Sequence, residues 1–325
     1  MQNLDINNSL SNKTVVNFSK PYTQMVFVQI LVSLFLYVNC LMIYTFLKKE
    51  MFREETRYIL FAQTLLVDSA FMVLSDVLLI GGHYQYVIHT IPCLIICTAV
   101  AVMSVCTPLT LVAMCLERYV AICMPLRHAD ISTSRTRFQG LLIIWSISSI
   151  IPLFTLVAYL AVTPSGALLS YTVCSVELML RKDWQAQARA IILQFLFVLM
   201  IIIIIFVYIK IMTAARAASS ENKKSKGLRT VILHAFQLFL CVMQFLTPYI
   251  EMPFWKVDVM VFVNVRYSNF IVFIIAPHCL SPLIYGLRDE KFFLVLRHHA
   301  MCGLDNGKLK INQTLNFNRH HKCQR

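Results

Sequence analysis

The chain has 325 residues, 58% of them hydrophobic and only 14% charged, with a mean hydropathy of +0.68. A water-facing surface takes roughly a quarter charged residues, so these are too few to cover a soluble core, and a soluble globular protein is excluded. The net charge of +13 would suit a nucleic-acid binder, but the placement of the basic residues along the chain gives them another role.

Taken in chain order, residues 1–23 are polar and rich in Asn and Ser, with no short apolar core following basic residues. A cleavable signal peptide is therefore not expected, and the first apolar run should serve as a signal-anchor. This stretch carries sequons at Asn7, Asn12 and Asn17, which a glycosyltransferase could reach if the segment is disordered and outside the cell. Seven apolar runs follow, at about 24–47, 57–80, 91–122, 138–161, 187–212, 228–251 and 262–286. Each reaches the ~20 residues that a helix needs to cross a hydrocarbon core about 30 Å thick. Barrel strands would alternate polar with apolar residues, and "LMIIIIIFVYI" (199–209) does not. The expected fold is all-α: a seven-transmembrane helix bundle over 24–286, with a short amphipathic helix and cytoplasmic tail over 287–325.

Lysines and arginines set the orientation. The inter-helix segments of one side, with the C-terminal tail, hold 22 of them, and the other side with the N-terminus holds 7. The basic side faces the cytoplasm, so the N-terminus is expected outside and the C-terminus inside. Topology accounts for the positive charge, and no nucleic acid is implied.

Within the second run stands Asp68, an ionisable group at membrane depth and so a candidate functional residue. A buried, protonated carboxyl is the plainer alternative. Cys93 opens the third run, 25 residues before Arg118, or about 37 Å of helix. It therefore faces the oxidising exterior, as does Cys174 in the following outer loop, and a disulfide between them would pin that loop over the bundle. Other cysteines, such as Cys97, Cys106, Cys115, Cys241 and Cys279, read as small core fillers. No Cys-x-x-Cys is present, and the terminal "HHKC" is only a weak metal lookalike, so no metal site is expected. The third run ends in Glu117-Arg118-Tyr119. On spacing alone this is an interfacial anchor, with the arginine reaching for the membrane boundary. Cys302, just past "KFFLVLRHH", is a candidate palmitoylation site.

The set "MCLERYVAICMPL" (114–126), with Asp68, Trp145 and "SPLIY" (281–285), resembles the rhodopsin-like G-protein-coupled receptors. More narrowly, "RYVAICMPLRHADIST" (118–133), "KGLRTVILH" (226–234) and "SPLIYGLRDEKF" (281–292) are similar to the vertebrate odorant receptors, especially their fish and amphibian branch. The resemblance covers all seven runs and the short helix after them. It implies that Glu117 holds Arg118 at rest and that Arg118 is released to a heterotrimeric G protein when the sixth helix swings outward. Tyr208, Pro282 and Tyr285 would belong to the same switch, although Tyr is also enriched at membrane interfaces. The resemblance also implies a polar cluster of Asn39, Asp68 and Ser281 with a sodium ion near Asp68, and no other cofactor. Val100 stands where amine receptors carry an Asp, which leaves an ammonium ligand without its counter-ion. A pocket lined by Val100, Ala101, Ser104, Val105, Ile192, Leu196 and Tyr249 would suit a small neutral or weakly polar organic ligand.

Three features depart from the odorant pattern. The second outer loop has only Cys174 where odorant receptors carry additional cysteines. Ser281 stands where Asn is usual before Pro282, and "CVMQFLTPYI" (241–250) replaces the usual Phe-Tyr pair of the sixth helix. Two other function classes are weighed against a receptor. A channel or transporter would line its middle with polar or charged groups, yet Asp68 and Asp76 are nearly alone there. An intramembrane enzyme would show His, Ser or carboxylate pairs at catalytic spacing within the helices, and none recurs. A class A receptor for a peptide or lipid remains the nearer alternative.

Overall fold

The computed structural model describes the backbone at residues 2–48, 50, 55–124, 133–217, 221–255 and 259–280. Seven long helices follow one another: α1 (Gln2–Lys48), α2 (Thr56–His83), α3 (Thr90–Cys123), α4 (Ser134–Val162), α5 (Asp183–Ala217), α6 (Glu221–Trp255) and α7 (Val259–Asn269). The last continues through a π-helical segment, Phe270–Ile275, and stays helical to Leu280. Among the described residues, six stretches are long and apolar enough to cross a membrane: 23–48, 56–83, 90–123, 135–162, 183–214 and 260–280. In α6 the side chains of 221–231, 234, 248 and 249 lie outside the described residues, and the apolar stretch between them is Ala235–Thr247.

Two elements differ from expectation. The helix of α1 begins at Gln2 rather than near residue 24. Extending an existing helix is far easier than nucleating one, and the apolar span supplies the nucleus. The side chains of Asn7, Asn12 and Asn17 lie outside the described residues. The second difference is a pair of short strands in a chain expected to be wholly helical: β1 (Val87–His89) and β2 (Tyr171–Val173). They run antiparallel, pairing Val87 with Val173, Ile88 with Thr172 and His89 with Tyr171.

Packing is centred on α3, over half of whose apolar window is buried against a third or less in the other five spans. One side of α3 contributes Cys106, Leu111 and Met114 to a core with Phe61 and Leu65 of α2 and Met42 of α1. The other contributes Val105, Val112 and Cys115 to a core with Phe197, Met200, Ile204 and Val207 of α5. Outward faces are no less apolar: Phe195, Ile202 and Phe236 are exposed, which only a lipid surround tolerates. In lipid every polar group must find a partner within the protein. The hydroxyls of Thr45, Thr64, Ser69, Thr110, Ser148 and Thr155 do so by donating to the carbonyl four residues back.

Candidate functional site

At the inner end of α3, Arg118 Nε lies 3.8 Å from Glu117 Oε2. Adjacent residues on a helix point about 100° apart, so the pair meets only by bending both side chains toward each other. The two are 29% and 12% exposed, which places them at a boundary and not in a dry interior. At 3.8 Å the contact is an ion pair without a hydrogen bond, and Arg118 Nε, itself buried, has no hydrogen-bond partner among the described residues. Tyr119 meets Phe206 of α5 edge to face, with ring centres 5.9 Å apart. Tyr208 is 37% exposed, because the buried stripe of α5 runs through Ile204, Val207 and Ile211 and leaves residue 208 at its edge. The remaining expected switch residues, Pro282 and Tyr285, lie outside the described residues, as do Ser281 of the polar cluster and Cys302.

Half a membrane away, Asp68 is fully buried. Two donors converge on its Oδ1: Thr107 Oγ1 of α3 at 2.8 Å and His278 Nδ1 of α7 at 2.8 Å. The tautomer that satisfies the second contact carries its hydrogen on Nδ1. Phe71 packs on the imidazole with ring centres 4.6 Å apart. The carbonyl of neighbouring Pro277 accepts from Gln237 Nε2 of α6 at 2.8 Å. Asn39, expected beside Asp68, donates to Ser69 Oγ at 3.1 Å instead. Asp68 Oδ2, Asn39 Oδ1 and His278 Nε2 are buried without a hydrogen-bond partner among the described residues. Does this donor set fit the sodium ion that the sequence resemblance implies? A hard cation is held by oxygen lone pairs, whereas Oδ1 here faces an O–H and an N–H hydrogen. A cation at that oxygen would meet both hydrogens head-on, so the residues do not fit it there.

At the outer end, Cys93 and Cys174 are disulfide-bonded, with Cα atoms 5.5 Å apart. The strand pair makes this possible. β2 ends one residue before Cys174, β1 ends four residues before Cys93, and Thr90 N donates to Ser170 O at 3.1 Å. Cys97, one turn deeper, places its thiol 3.6 Å from Cys174 Sγ and 3.9 Å from Cys93 Sγ. Three sulfurs so close resemble a metal cage, but two are spent in the disulfide and are not thiolate ligands. Below this lid, Val100 and Ser104 are buried and Ala101 is partly buried. The hydroxyl of Ser104 donates to Ala101 O at 2.8 Å, so it offers a ligand acceptor lone pairs only. Val105 and partly buried Leu196 pack into the core between α3 and α5. Ile192, expected to face inward, is 38% exposed, and its neighbour Leu193 carries the buried stripe instead. The side chain of Tyr249 lies outside the described residues.

Residues 38–285 match the family model of the seven-transmembrane receptors of the rhodopsin family. The chain belongs to the rhodopsin family of seven-transmembrane receptors. Across 316 residues the receptor is 54% identical to Odorant receptor 131-2 of Danio rerio, covering 95% of this chain and 97% of that one. That likeness extends over the helices, the outer loop and the inner triplet together, and places the receptor in the odorant-receptor family.

Several polar contacts of the receptor were not foreseen in the sequence. Besides His278 on Asp68, Gln29 Nε2 donates to Asp76 Oδ1 at 2.6 Å, Asn269 Nδ2 to Glu251 Oε1 at 3.0 Å, and Tyr267 meets His83 at 2.9 Å. Each joins two different helices. The available signal was the rule that an ionisable side chain at membrane depth has a function and a partner, applied to His278 in "APHCL" as well as to Asp68.

Proposed function

We propose that the receptor binds a small neutral or weakly polar organic ligand in the outer half of its bundle and activates a heterotrimeric G protein at its inner end. The observation that carries this reading is the 54% identity with a protein named an odorant receptor, sustained over nearly the whole of both chains. Physical chemistry agrees with it on the ligand side. Val100 brings no charge to the outer part of α3, and Ser104 brings one acceptor, so apolar contact and shape would supply most of the affinity. On the inner side the Glu117–Arg118 pair is a contact of modest strength that a helix movement could break, which suits a population shift. The receptor would act at the plasma membrane, N-terminus outside, with no chemical step of its own.

The test is a signalling assay in cells expressing the full chain, with epitopes at both termini. The N-terminal epitope should stain on intact cells and the C-terminal one only after permeabilisation. A panel of small odorants should contain at least one that raises signalling in a dose-dependent way, while a peptide panel and a lipid panel do not. A response confined to peptides or lipids would overturn the ligand class, and reversed staining would overturn the orientation.

A further inference from the structure

The polar centre of the bundle departs from what its sequence implies, and the departure has a single author: His278. Its Nδ1 lies 2.8 Å from Asp68 Oδ1, with both side chains shut off from solvent. Thr107 donates to the same oxygen from α3. The imidazole is itself pinned from two directions. Phe71, one turn along α2 from Asp68, packs on its face, and Gln237 of α6 holds the carbonyl of Pro277 immediately before it. Upstream, the π-helical segment Phe270–Ile275 inserts roughly one residue per turn. Each inserted residue rotates everything after it by about 100° around the helix axis, and so sets which side of α7 meets α2. The placement of His278 therefore depends on α2, α3, α6 and the register of α7 together.

We propose that His278 is the resident partner of Asp68, its N–H filling the place a bound cation would take, and that this bond ties α2 to α7 in the ligand-free receptor. The bond requires only a hydrogen on Nδ1, which the ring can carry in its neutral form. Oδ1 then accepts two hydrogens from the protein's own side chains, and a metal ion has no role at that oxygen. With the hydrogen on Nδ1, the atoms left over among the described residues, Asp68 Oδ2, Asn39 Oδ1 and His278 Nε2, are all acceptors, which bridging waters can supply with hydrogens. His278 is thus a positioning residue for activation that holds α7 through the carboxylate of α2.

Thermal unfolding of the purified full-length receptor tests this without a ligand or a G protein, so its outcome is separable from that of the proposed function. In sodium chloride and in choline chloride of equal ionic strength, the wild-type protein should unfold at the same temperature. A saturable rise in sodium that disappears in Asp68→Asn would overturn the proposal. His278→Ser removes the ring and opens the oxygen, so a sodium-dependent rise should appear there and vanish when Asp68→Asn is added. No sodium response in a folded His278→Ser protein would also overturn it, because the ring would not then be what keeps the ion out. Should His278→Ser not fold, the wild-type comparison decides alone.

Discussion

At its outer end the bundle is closed by the Cys93–Cys174 bond, by the β1–β2 ladder, and by Gln185, whose carboxamide accepts from the backbone of Arg181 and Lys182 and donates to Ala158 O. At its inner end the described contacts between α3 and α5 include an edge-to-face ring pair, Tyr119 on Phe206, and a 3.8 Å sulfur contact from Cys123 to Lys210 O. The central charge pair there, Glu117 with Arg118, is made within α3 and bridges no helices. A covalent bond and backbone ladders resist displacement, whereas ring edges and a partly wet ion pair can be exchanged for others at small cost. Under the proposed function, the contrast has a consequence: a fixed outer end would hold a ligand-binding shape while the inner helix ends move.

The largest test of that contrast removes the outer bond. Cys93 and Cys174 enclose a separation of 81 residues, and a cross-link of that span stabilises by roughly 4 kcal/mol in the chain-entropy account. Cys93→Ser and Cys174→Ser should each greatly reduce surface delivery, measured by staining of intact cells. The double variant should be no worse than either single one, since both remove one shared bond. Additive losses would mean that the outer end is not held by this bond. Next in size, Arg118→Ala should abolish G-protein signalling while ligand-dependent protection against unfolding persists, because the two ends are a membrane apart. Loss of both would show that the inner end also supports the outer one.

Smaller effects refine the same comparison. Gln185→Ala leaves three backbone groups without their side-chain partner and should lower stability by about 1–3 kcal/mol, read as a lower melting temperature with ligand-free signalling unchanged. A rise in ligand-free signalling would mean that the outer end too takes part in the resting balance. The smallest effect belongs to Glu117→Gln. The pair it breaks is partly exposed and contributes on the order of 1 kcal/mol or less, so ligand-free signalling should rise by at most about fivefold. If the variant reaches the surface and basal signalling stays level, Arg118 is an interfacial anchor and not a latch.

Much of this receptor could be read before any coordinate was known. Apolar run length is a one-dimensional property set by bilayer thickness, so seven spans were countable in the chain. The inner triplet was legible for a similar reason, since Glu117 and Arg118 are neighbours in sequence and meet without help from the fold. The pairing of Cys93 with Cys174 was foreseen from which side of the membrane each lies on, and the structure contains it. What sequence could not supply were contacts between residues far apart in the chain on faces of unknown rotation. In α5 nearly every residue is apolar, so no polar stripe marks its inward side, and Ile192 and Leu193 were indistinguishable until packing chose Leu193. The strands β1 and β2 are three residues each and pair across the whole of α3 and α4, too short for alternation to announce them. Asp68 was visible as a charge in lipid, but its partner depended on the register of α7 beyond a π-helical segment. Only the tertiary structure, by rotating that helix, could bring His278 and not Asn39 to the carboxylate.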